Sequence, residues 1–299
     1  MPLTPTEDIV RSAVRGGVGV GAFNVVQLEH AEAIVAGAEA AGRPVILQIS
    51  ENTVRYHGAL EPIALATLAV ARASSAPVAV HLDHAESPGL VHQAVELGFT
   101  SVMFDASKLP YDENVAATAE ITAHCHARNV WVEAELGEVG GKDGAHAPGV
   151  RTDPAEARAF VAATAVDALA VAVGSSHAML TRDAVLDFGL ITLLRDSVSV
   201  PLVLHGSSGV GDEGLTRAIA AGMTKVNVST HLNKAFTRAA RAYLDAHPET
   251  ADPRKYLGPA RDAVATAVAG LLAVLHGQRA SGHAKTAAAV TAVGSRPSR

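Results

Sequence analysis

Four side chains that can bind metals or transfer protons stand close together after one apolar run of the chain. The segment 80–88 reads V-H-L-D-H-A-E-S-P and contains His81, Asp83, His84 and Glu86. Imidazole nitrogens and carboxylate oxygens coordinate divalent cations, and the same groups act as general acids and bases. The pattern leaves three interpretations open: a metal site, an acid–base site, or a polar strand end without chemistry.

Two further histidines follow other apolar runs and favour the metal interpretation. The segment V-G-S-S-H ends at His177, and P-L-V-L-H-G contains His205. Together with His84 they would supply three imidazoles, which leave the fourth position of a zinc ion open for substrate, as in catalytic zinc sites. Each histidine taken alone is equally well explained as a hydrogen-bonding residue of a pocket.

The neighbours of His84 receive separate interpretations. A carboxylate such as Asp83 stays ionised beside a divalent cation and could take a proton from a hydroxyl group or return it. The alternative is that Asp83 only orients a histidine. His81 lies two residues earlier, on the same face of a strand, so we assign it a supporting role. H-C-H at 124–126 falls within a predicted helix, where adjacent side chains point in different directions, and is interpreted as a surface feature.

The framework that positions these residues is a repeated unit of one apolar run and one helical segment. The runs are 18–25, 44–50, 77–83, 101–105, 130–136, 168–174, 201–206 and 225–230. Helical apolar spacing follows at 28–41, 59–73, 89–97, 111–127, 154–164, 183–196, 212–221 and 231–246. Continuous apolar strands alternating with helices predict a parallel sheet covered by helices, and eight units predict a (β/α)8 TIM barrel.

An open, doubly wound sheet is the alternative fold. It normally carries a G-x-G-x-x-G turn after the first strand. The glycines of G-G-V-G-V-G at 16–21 stand before or inside the strand, which favours the barrel.

Several segments lie outside the eight units. Residues 5–15 predict an extra N-terminal helix that closes the bottom of the barrel, and 253–277 predict a C-terminal helical extension. We expect one TIM-barrel domain over 1–279 and a flexible tail over 280–299. The long, glycine-rich loop 137–152 is interpreted as a lid or binding loop.

Polar residues stand where the predicted strands end, which is where TIM barrels place their active sites. They include Asn24, Gln48, Ser50, Asp105, Glu133 and Glu135. G-S-S-G at 206–209 and N-V-S-T at 227–230 each precede a predicted helix, and helix N-termini with small hydroxyl groups bind anions. Simple helix capping explains either segment alone; on adjacent strands they favour phosphate.

Composition and charge exclude other classes of partner. The 299-residue chain has a net charge of −6, which argues against a nucleic-acid or anionic-membrane surface. Apolar stretches are interrupted before they reach the length of a membrane span, and the N-terminus lacks the pattern of a signal peptide. The single cysteine, Cys125, fits a reducing, cytoplasmic setting.

Longer motifs resemble one family of enzymes. H-L-D-H-A-E-S, E-A-E-L-G-E-V-G-G, V-G-S-S-H, P-L-V-L-H-G-S-S-G-V, K-V-N-V-S-T and D-P-R-K-Y-L-G-P-A-R-D-A-V are similar to motifs of the class II, zinc-dependent ketose-bisphosphate aldolases. The fructose-bisphosphate and tagatose-bisphosphate branch is the most similar, and the resemblance runs in order from about 5 to 275. It implies reversible aldol cleavage of a ketose bisphosphate to dihydroxyacetone phosphate and an aldehyde.

The resemblance also implies roles for individual residues. His84, His177 and His205 would carry the catalytic zinc, and Asp83 would transfer the proton. Two carboxylates, Glu135 and Asp105, would form a second metal position, and Asn24 and Ser50 would lie near the substrate. Arg254 would bind the second phosphate. The positions implied for the first phosphate are Ala178, Gly206, Ser207, Ser208, Asn227, Val228, Ser229 and Thr230.

Arg254 would reach a neighbouring subunit, so the resemblance implies a homodimer or homotetramer. A monovalent cation near the phosphate site is also compatible with this family. Two positions depart from its motifs: Ala178 stands where a glycine is usual, and Asp143 aligns with the glutamate of the lid that exchanges the C3 proton. Glu138 is the alternative residue for that proton exchange.

Three other functions fit the sequence less well. A Schiff-base aldolase needs a lysine at a strand end, whereas Lys225 opens the predicted eighth strand and Lys142 lies in the loop. An amidohydrolase-type site usually has H-x-H after the first strand, where this chain has F-N-V at 23–25. A non-catalytic assembly subunit would be expected to lack zinc ligands. An aldolase acting on another phosphorylated sugar or sugar acid remains the main alternative.

Overall fold

The computed structural model describes residues 3–136, 151–176 and 179–277. Eight parallel strands form a closed barrel in chain order, and β1 completes the circle by pairing with β8. The strands are β1 (Val20–Asn24), β2 (Val45–Ser50), β3 (Val78–Ala85), β4 (Ser101–Phe104), β5 (Trp131–Glu135), β6 (Ala168–Ala170), β7 (Leu202–Leu204) and β8 (Met223–Val228). The predicted (β/α)8 fold is confirmed.

Helices surround the barrel and extend it at both ends of the chain. They are α1 (Thr6–Gly16), α2 (Leu28–Ala41), α3 (Glu51–His57), α4 (Glu61–Ala73), α5 (Pro88–Leu97), α6 (Tyr111–His126), α7 (Pro154–Thr164), α8 (Phe188–Ser197), α9 (Asp212–Ala221), α10 (Thr230–Ala246) and α11 (Arg254–Leu275). The sequence pattern missed α3, which begins directly after β2. Its start is fixed by Ser50, whose hydroxyl accepts a hydrogen bond from the Thr53 backbone N–H.

The first helix closes the bottom of the barrel, as predicted. Ile9, Val10 and Ala13 are buried in an apolar cluster with inward-facing strand residues, among them Ile46 and Trp131. Burial of an aliphatic side chain such as Ile9 or Val10 contributes about 1.5–3 kcal/mol. A separate and larger cluster fills the space between the outer face of the barrel and the helices.

The last helix, α11, packs on the outside of the barrel against α2 and α10. Gly37 of α2 permits the close approach, because an added Cβ would lie 2.6 Å from the Ala265 carbonyl oxygen. Within the described ranges, α11 is the one helix that is long and apolar enough to cross a membrane by length and composition. Its side chains Val264, Val268 and Leu272 are fully buried.

The interior of the barrel is arranged in layers because side chains alternate along each strand. Above the apolar bottom lies a buried polar layer, and the strand ends above it carry further polar residues. The polar layer contains Gln48, His81, Ser101, Glu133 and Lys225. Lys225 is the third residue of β8 and faces this layer, so the prediction that it opens the strand was wrong: β8 begins two residues earlier, at Met223.

The domain boundary at 279 and the predicted tail of 280–299 remain predictions. Residues 278–299 lie outside the described part of the chain.

Candidate active site

Asp83 and His84 both reach the upper opening of the barrel although they are adjacent on β3. A regular strand would turn them to opposite faces. The pairing of β3 with β4 shifts register between Leu82 and Ala85, and His84 adopts a positive φ of 50°. A left-handed conformation is rare outside glycine and costs about 1–3 kcal/mol, so the surrounding structure must hold it in place.

Two carboxamides hold the Asp83 carboxylate. Asn24 Nδ2 donates to Asp83 Oδ2 over 3.1 Å, and Asn227 Nδ2 donates to Asp83 Oδ1 over 3.2 Å. These donors come from β1 and β8, the strands whose pairing closes the barrel. Each oxygen therefore has one donor that fixes its direction.

The charge state of Asp83 is set by opposing effects. Burial by itself raises the pKa of this carboxyl group, because it disfavours the charged form. Coulombic interactions with His84, Lys225 and His205 act in the other direction, and the net result is a pKa below the ordinary aspartate value. Asp83 is consequently ionised at neutral pH and can accept a proton.

His84 is oriented by a carboxylate on the neighbouring strand end. Its Nδ1 donates to Asp105 Oδ2 over 2.8 Å. The other oxygen of Asp105 accepts from the Ser107 hydroxyl over 2.6 Å, so the carboxylate is itself fixed. A carboxylate that binds one nitrogen of an imidazole sets its ring orientation and tautomer, as is usual for metal-binding histidines.

His205 lies between two glutamates of β5. Its Nε2 donates to Glu133 Oε1 over 3.1 Å, and its Nδ1 lies 3.0 Å from Glu135 Oε2. Burial lowers the pKa of this imidazole, but the two carboxylates outweigh burial and raise its pKa to about 9. The Ser175 hydroxyl donates to the His205 carbonyl oxygen over 2.6 Å and fixes the backbone at this position.

A buried ion pair lies directly beneath the cluster. Lys225 Nζ is 2.8 Å from Glu133 Oε2 and donates to Asn227 Oδ1 over 2.7 Å. Burial raises the pKa of Glu133, but Lys225 and His205 more than compensate, so the net shift is downward. Removing one member of such a buried pair typically costs about 3–5 kcal/mol, because the other charge remains.

His81 takes a supporting position in the same polar layer. Its Nδ1 contacts the Ser101 hydroxyl at 2.8 Å. Burial, with the charge of Lys225, lowers its pKa to about 3, so His81 is neutral at physiological pH. This agrees with the role assigned from the sequence. Glu86 lies on the loop surface, where its carboxylate pairs with Lys108 Nζ at 3.0 Å.

Two overlapping groups of side chains in the described ranges could hold a metal ion. One is Asp83, His84 and His205, and the other is His84, Asp105 and Glu135; within each group the ligand atoms lie within 4.8 Å of one another. Buried imidazole and carboxylate ligands in this combination suit Zn²⁺ and related divalent ions. Four buried carboxylates around the two histidines also make a cation electrostatically favourable, so the residues fit a metal.

The predicted phosphate segments meet at the ends of β7 and β8. The Ser207 hydroxyl donates to the Asn227 carbonyl oxygen, and the His231 backbone N–H donates to the Ser208 hydroxyl over 3.2 Å. Gly206 has a φ of 66°, and a Cβ there would lie 2.5 Å from the Ser176 carbonyl oxygen. Glycine is therefore required at 206, and the two segments are joined at the N-terminus of α10.

Four of the predicted site residues fall outside the described ranges, and a fifth lies on the surface. His177, Ala178, Glu138 and Asp143 lie outside the described residues. Arg254 begins α11 with 89% of its side chain exposed, and its guanidinium binds the Asp252 carboxylate at 2.8 Å. Its predicted phosphate contact stays a prediction.

Sequence reasoning placed Gln48 and Glu133 among the polar strand-end residues without assigning them an individual role, and it set Lys225 aside. Gln48 Nε2 donates to Asn24 Oδ1 over 2.7 Å, in the same way that Lys225 donates to Asn227. Strand periodicity contained the signal, because each of these residues lies two positions before a predicted site residue or strand end and so shares its face. A charged residue inside an otherwise apolar strand calls for a buried partner of opposite charge.

The fold and the site together define a TIM-barrel enzyme with a candidate metal centre at the carboxyl ends of its strands. A family model described as class-II fructose-bisphosphate aldolase matches residues 4–279. The chain is 42% identical over 274 residues to a fructose-bisphosphate aldolase of Geobacillus stearothermophilus, with 90% of this chain and 96% of that protein covered. The chain belongs to the class-II fructose-bisphosphate aldolase family.

Solved structures are similar over nearly the whole chain. The YdjI aldolase from Escherichia coli K12 matches with a TM-score of 0.81 and 30% identity, covering 92% of this chain and 97% of that one. A putative fructose-1,6-biphosphate aldolase from Coccidioides immitis matches with a TM-score of 0.81 and 28% identity, covering 91% and 96%. The resemblance drawn from the motifs is confirmed, and the protein is an aldolase of a generally metal-dependent family.

Proposed function

We propose that this chain is a zinc-dependent aldolase that reversibly cleaves fructose 1,6- or tagatose 1,6-bisphosphate to dihydroxyacetone phosphate and an aldehyde. The observation that carries the proposal is the Asp83 carboxylate, fixed by Asn24 and Asn227 beside the His84 and His205 imidazoles. A proton acceptor fixed in direction beside a metal-binding cluster is what aldol cleavage requires. Phosphorylated sugar as the substrate class follows from the family.

The metal ligands in this proposal are His84 and His205, with His177 as the third. Asp105 and Glu135 provide the carboxylates of a second, deeper position, since they form a separate group with His84. Bound zinc would supply Lewis-acid polarisation of the ketose carbonyl and stabilise negative charge that develops next to it.

Asp83 acts as the base in the cleavage direction. It removes the proton of the C4 hydroxyl, the C3–C4 bond breaks, and C4 leaves as the aldehyde while its bonding electrons remain on C3. Since each Asp83 oxygen has one donor from an asparagine, a further lone pair on each stays available for the substrate hydroxyl. Asp143 protonates C3 in this scheme, and Glu138 is the alternative donor.

Substrate phosphates are assigned to the segments after β7 and β8. Gly206, Ser207, Ser208 and Ala178, with residues 227–230, are assigned to the dihydroxyacetone phosphate end. The N-terminus of α10 lies in this segment, and backbone N–H groups at a helix N-terminus favour anions. Asn24 and Ser50 border the substrate in this proposal, which also includes a monovalent cation near the phosphate. We further propose that the protein is a homodimer or homotetramer in which Arg254 binds the second phosphate of the substrate held by a neighbouring subunit. We also propose that the enzyme is cytoplasmic.

The test combines metal analysis with a panel of substrates. Purified protein is assayed on fructose 1,6-bisphosphate, tagatose 1,6-bisphosphate, the corresponding monophosphates and phosphorylated sugar acids, before and after chelation. We expect stoichiometric zinc, cleavage of a bisphosphate, loss of activity on chelation and recovery with Zn²⁺. Activity that survives complete metal removal would contradict the proposal. Faster cleavage of a monophosphate or a sugar acid would show that the proposed substrate is wrong, while the proposed aldolase reaction would still hold.

A further inference from the structure

A buried lysine determines which way one carboxamide of the site faces. Lys225 lies on β8, two residues before Asn227, and its side chain is fully buried inside the barrel. Its Nζ donates to Asn227 Oδ1 over 2.7 Å. Because an ammonium group carries donors and no acceptor, the Asn227 atom facing it must be the oxygen.

The orientation of Asn227 decides what the Asp83 carboxylate meets. With Oδ1 turned to Lys225, Nδ2 faces Asp83 Oδ1 at 3.2 Å and donates to it. A reversed carboxamide would place its oxygen against the carboxylate, and two acceptors would meet at hydrogen-bond distance in a buried site, which is unfavourable. Lys225 and Asp83 therefore favour the same orientation of Asn227, the one that supports Asp83.

Glu133 allows this charge to stand inside the barrel and links it to the metal-binding side of the site. Its Oε2 lies 2.8 Å from Lys225 Nζ, and its Oε1 accepts from His205 Nε2. One ion pair thus contacts Asn227 on one side and His205 on the other. The packing of the barrel interior does not require a pair of charges, since apolar residues of similar volume are often as stable.

We propose that Lys225 is a positioning residue of the aldol reaction, which acts through Asn227 on Asp83 and has Glu133 as its counter-ion. The inference rests on the proposed function, because it assigns Asp83 as the base. Lys225 touches no reacting atom in this scheme, and its effect on the reaction is the direction in which the Asn227 amide points.

The main test uses a charge-neutral pair of substitutions. Lys225→Met combined with Glu133→Gln removes the donor to Asn227 and leaves no uncompensated charge, while the new glutamine can still accept from His205 Nε2. We expect metal content within error of wild type, KM changed less than threefold, and kcat reduced at least tenfold, because the Asp83 carboxylate loses its fixed direction. Unchanged kcat in a folded, fully metallated variant would overturn the proposal.

A cycle with Asn227→Ala distinguishes positioning from general damage. If Lys225 acts through Asn227, adding the neutral pair to Asn227→Ala lowers kcat by less than twofold further. Independent, multiplying effects would contradict the assignment. Ser101→Ala is the matched control, since it removes a buried hydrogen bond to His81 in the same layer. We expect this control to lower the melting temperature and keep kcat.

Two further arrangements keep the test decisive. If the neutral pair does not fold, the substitute variant is Lys225→Gln with Glu133→Gln. It keeps the barrel interior polar, and the glutamine at position 225 is too short to reach Asn227 as the lysine does. If the wild type cleaves no substrate of the panel, the proposed function fails. A crystal structure of the neutral variant at a resolution that distinguishes amide nitrogen from oxygen then decides this inference separately. We expect the Asn227 amide to turn away from Asp83; an amide nitrogen still donating to Asp83 would overturn it.

Discussion

Asp83 and His84 are consecutive in the chain, and both present ligand atoms to the same buried cluster. The register shift between β3 and β4 and the left-handed conformation of His84 make this possible. The proposed base and the proposed metal-binding imidazole are thereby held side by side by one local distortion of the backbone. Their distinct roles can be separated by substitution.

Replacing Asp83 with alanine should abolish cleavage without removing the metal. We expect kcat to fall at least about 100-fold, the usual contribution of a positioned acid or base. His84 and His205 remain as ligands, so metal content measured by elemental analysis should stay at the wild-type value. Loss of metal in this variant would show that Asp83 is itself a required ligand, since it belongs to one of the two groups that could hold an ion.

Replacing His84 with alanine should remove the metal. The side chain belongs to both candidate metal groups, so neither arrangement is complete without it. We expect metal content below a tenth of the wild-type value after dialysis, and loss of activity with it. His126→Ala is the matched control: this exposed imidazole pairs with Asp167 at 2.9 Å at the other end of the barrel. Wild-type metal content in His84→Ala would refute the assignment.

The buried imidazole of His30 should make stability depend on pH. His30 lies between α2 and α10, stacked on the Phe236 ring at 4.9 Å between centroids. Burial lowers its pKa below 6.5, and Asn233 and Glu29 oppose this only in part. Below pH 6.5 the unfolded chain then binds more protons at this site than the folded protein, so the free energy of unfolding falls as the pH is lowered.

The measurement compares wild type with His30→Phe by urea unfolding at pH 5.5 and 7.5. Phenylalanine keeps the stacking but does not titrate. We expect the loss of stability between these pH values to be smaller in the variant than in wild type. An equal loss in both proteins would show that His30 does not contribute.

The single thiol should be unreactive in the folded protein. Cys125 is fully buried on α6, and burial raises its pKa to about 11. Because the thiolate is the reactive form, a disulfide reagent at pH 8 should label the native chain far more slowly than a free thiol. In denaturant we expect one thiol per chain to react, and rapid labelling of native protein would contradict the buried placement.

Much of the fold could be predicted from the alternation of apolar runs and helical spacing. This pattern is strong because parallel strands buried on both faces are continuously apolar. It failed where another interaction sets the boundary of an element: α3 is a short helix fixed by the local Ser50 cap, and the start of β8 is set by pairing with β7. Neither depends on periodicity.

The sequence could predict which strand-end residues form the candidate site, but it could predict few of the contacts between them. His84, His205, Asp83, Asp105 and Glu135 come together as expected, because parallel strands end at one face of a barrel. Lys225 was not expected to contribute to the site, because it was predicted to open β8. Its partner, Glu133, lies three strands away around the barrel and could not be identified from the sequence. The strands that face one another across the interior are determined only when the barrel closes, which the local sequence pattern does not specify.

The pairing of β1 with β8 has a consequence for how the chain is made. Val20 of β1 is in register with Lys225 of β8, so more than two hundred residues must be synthesised before the first strand meets its second neighbour. Until then α1 lacks its contacts with β8, and the unpaired edge of β1 is exposed. Contacts of such long sequence separation slow folding and expose edges to aggregation. A nascent chain truncated before β8 should therefore require chaperone protection that the complete barrel does not.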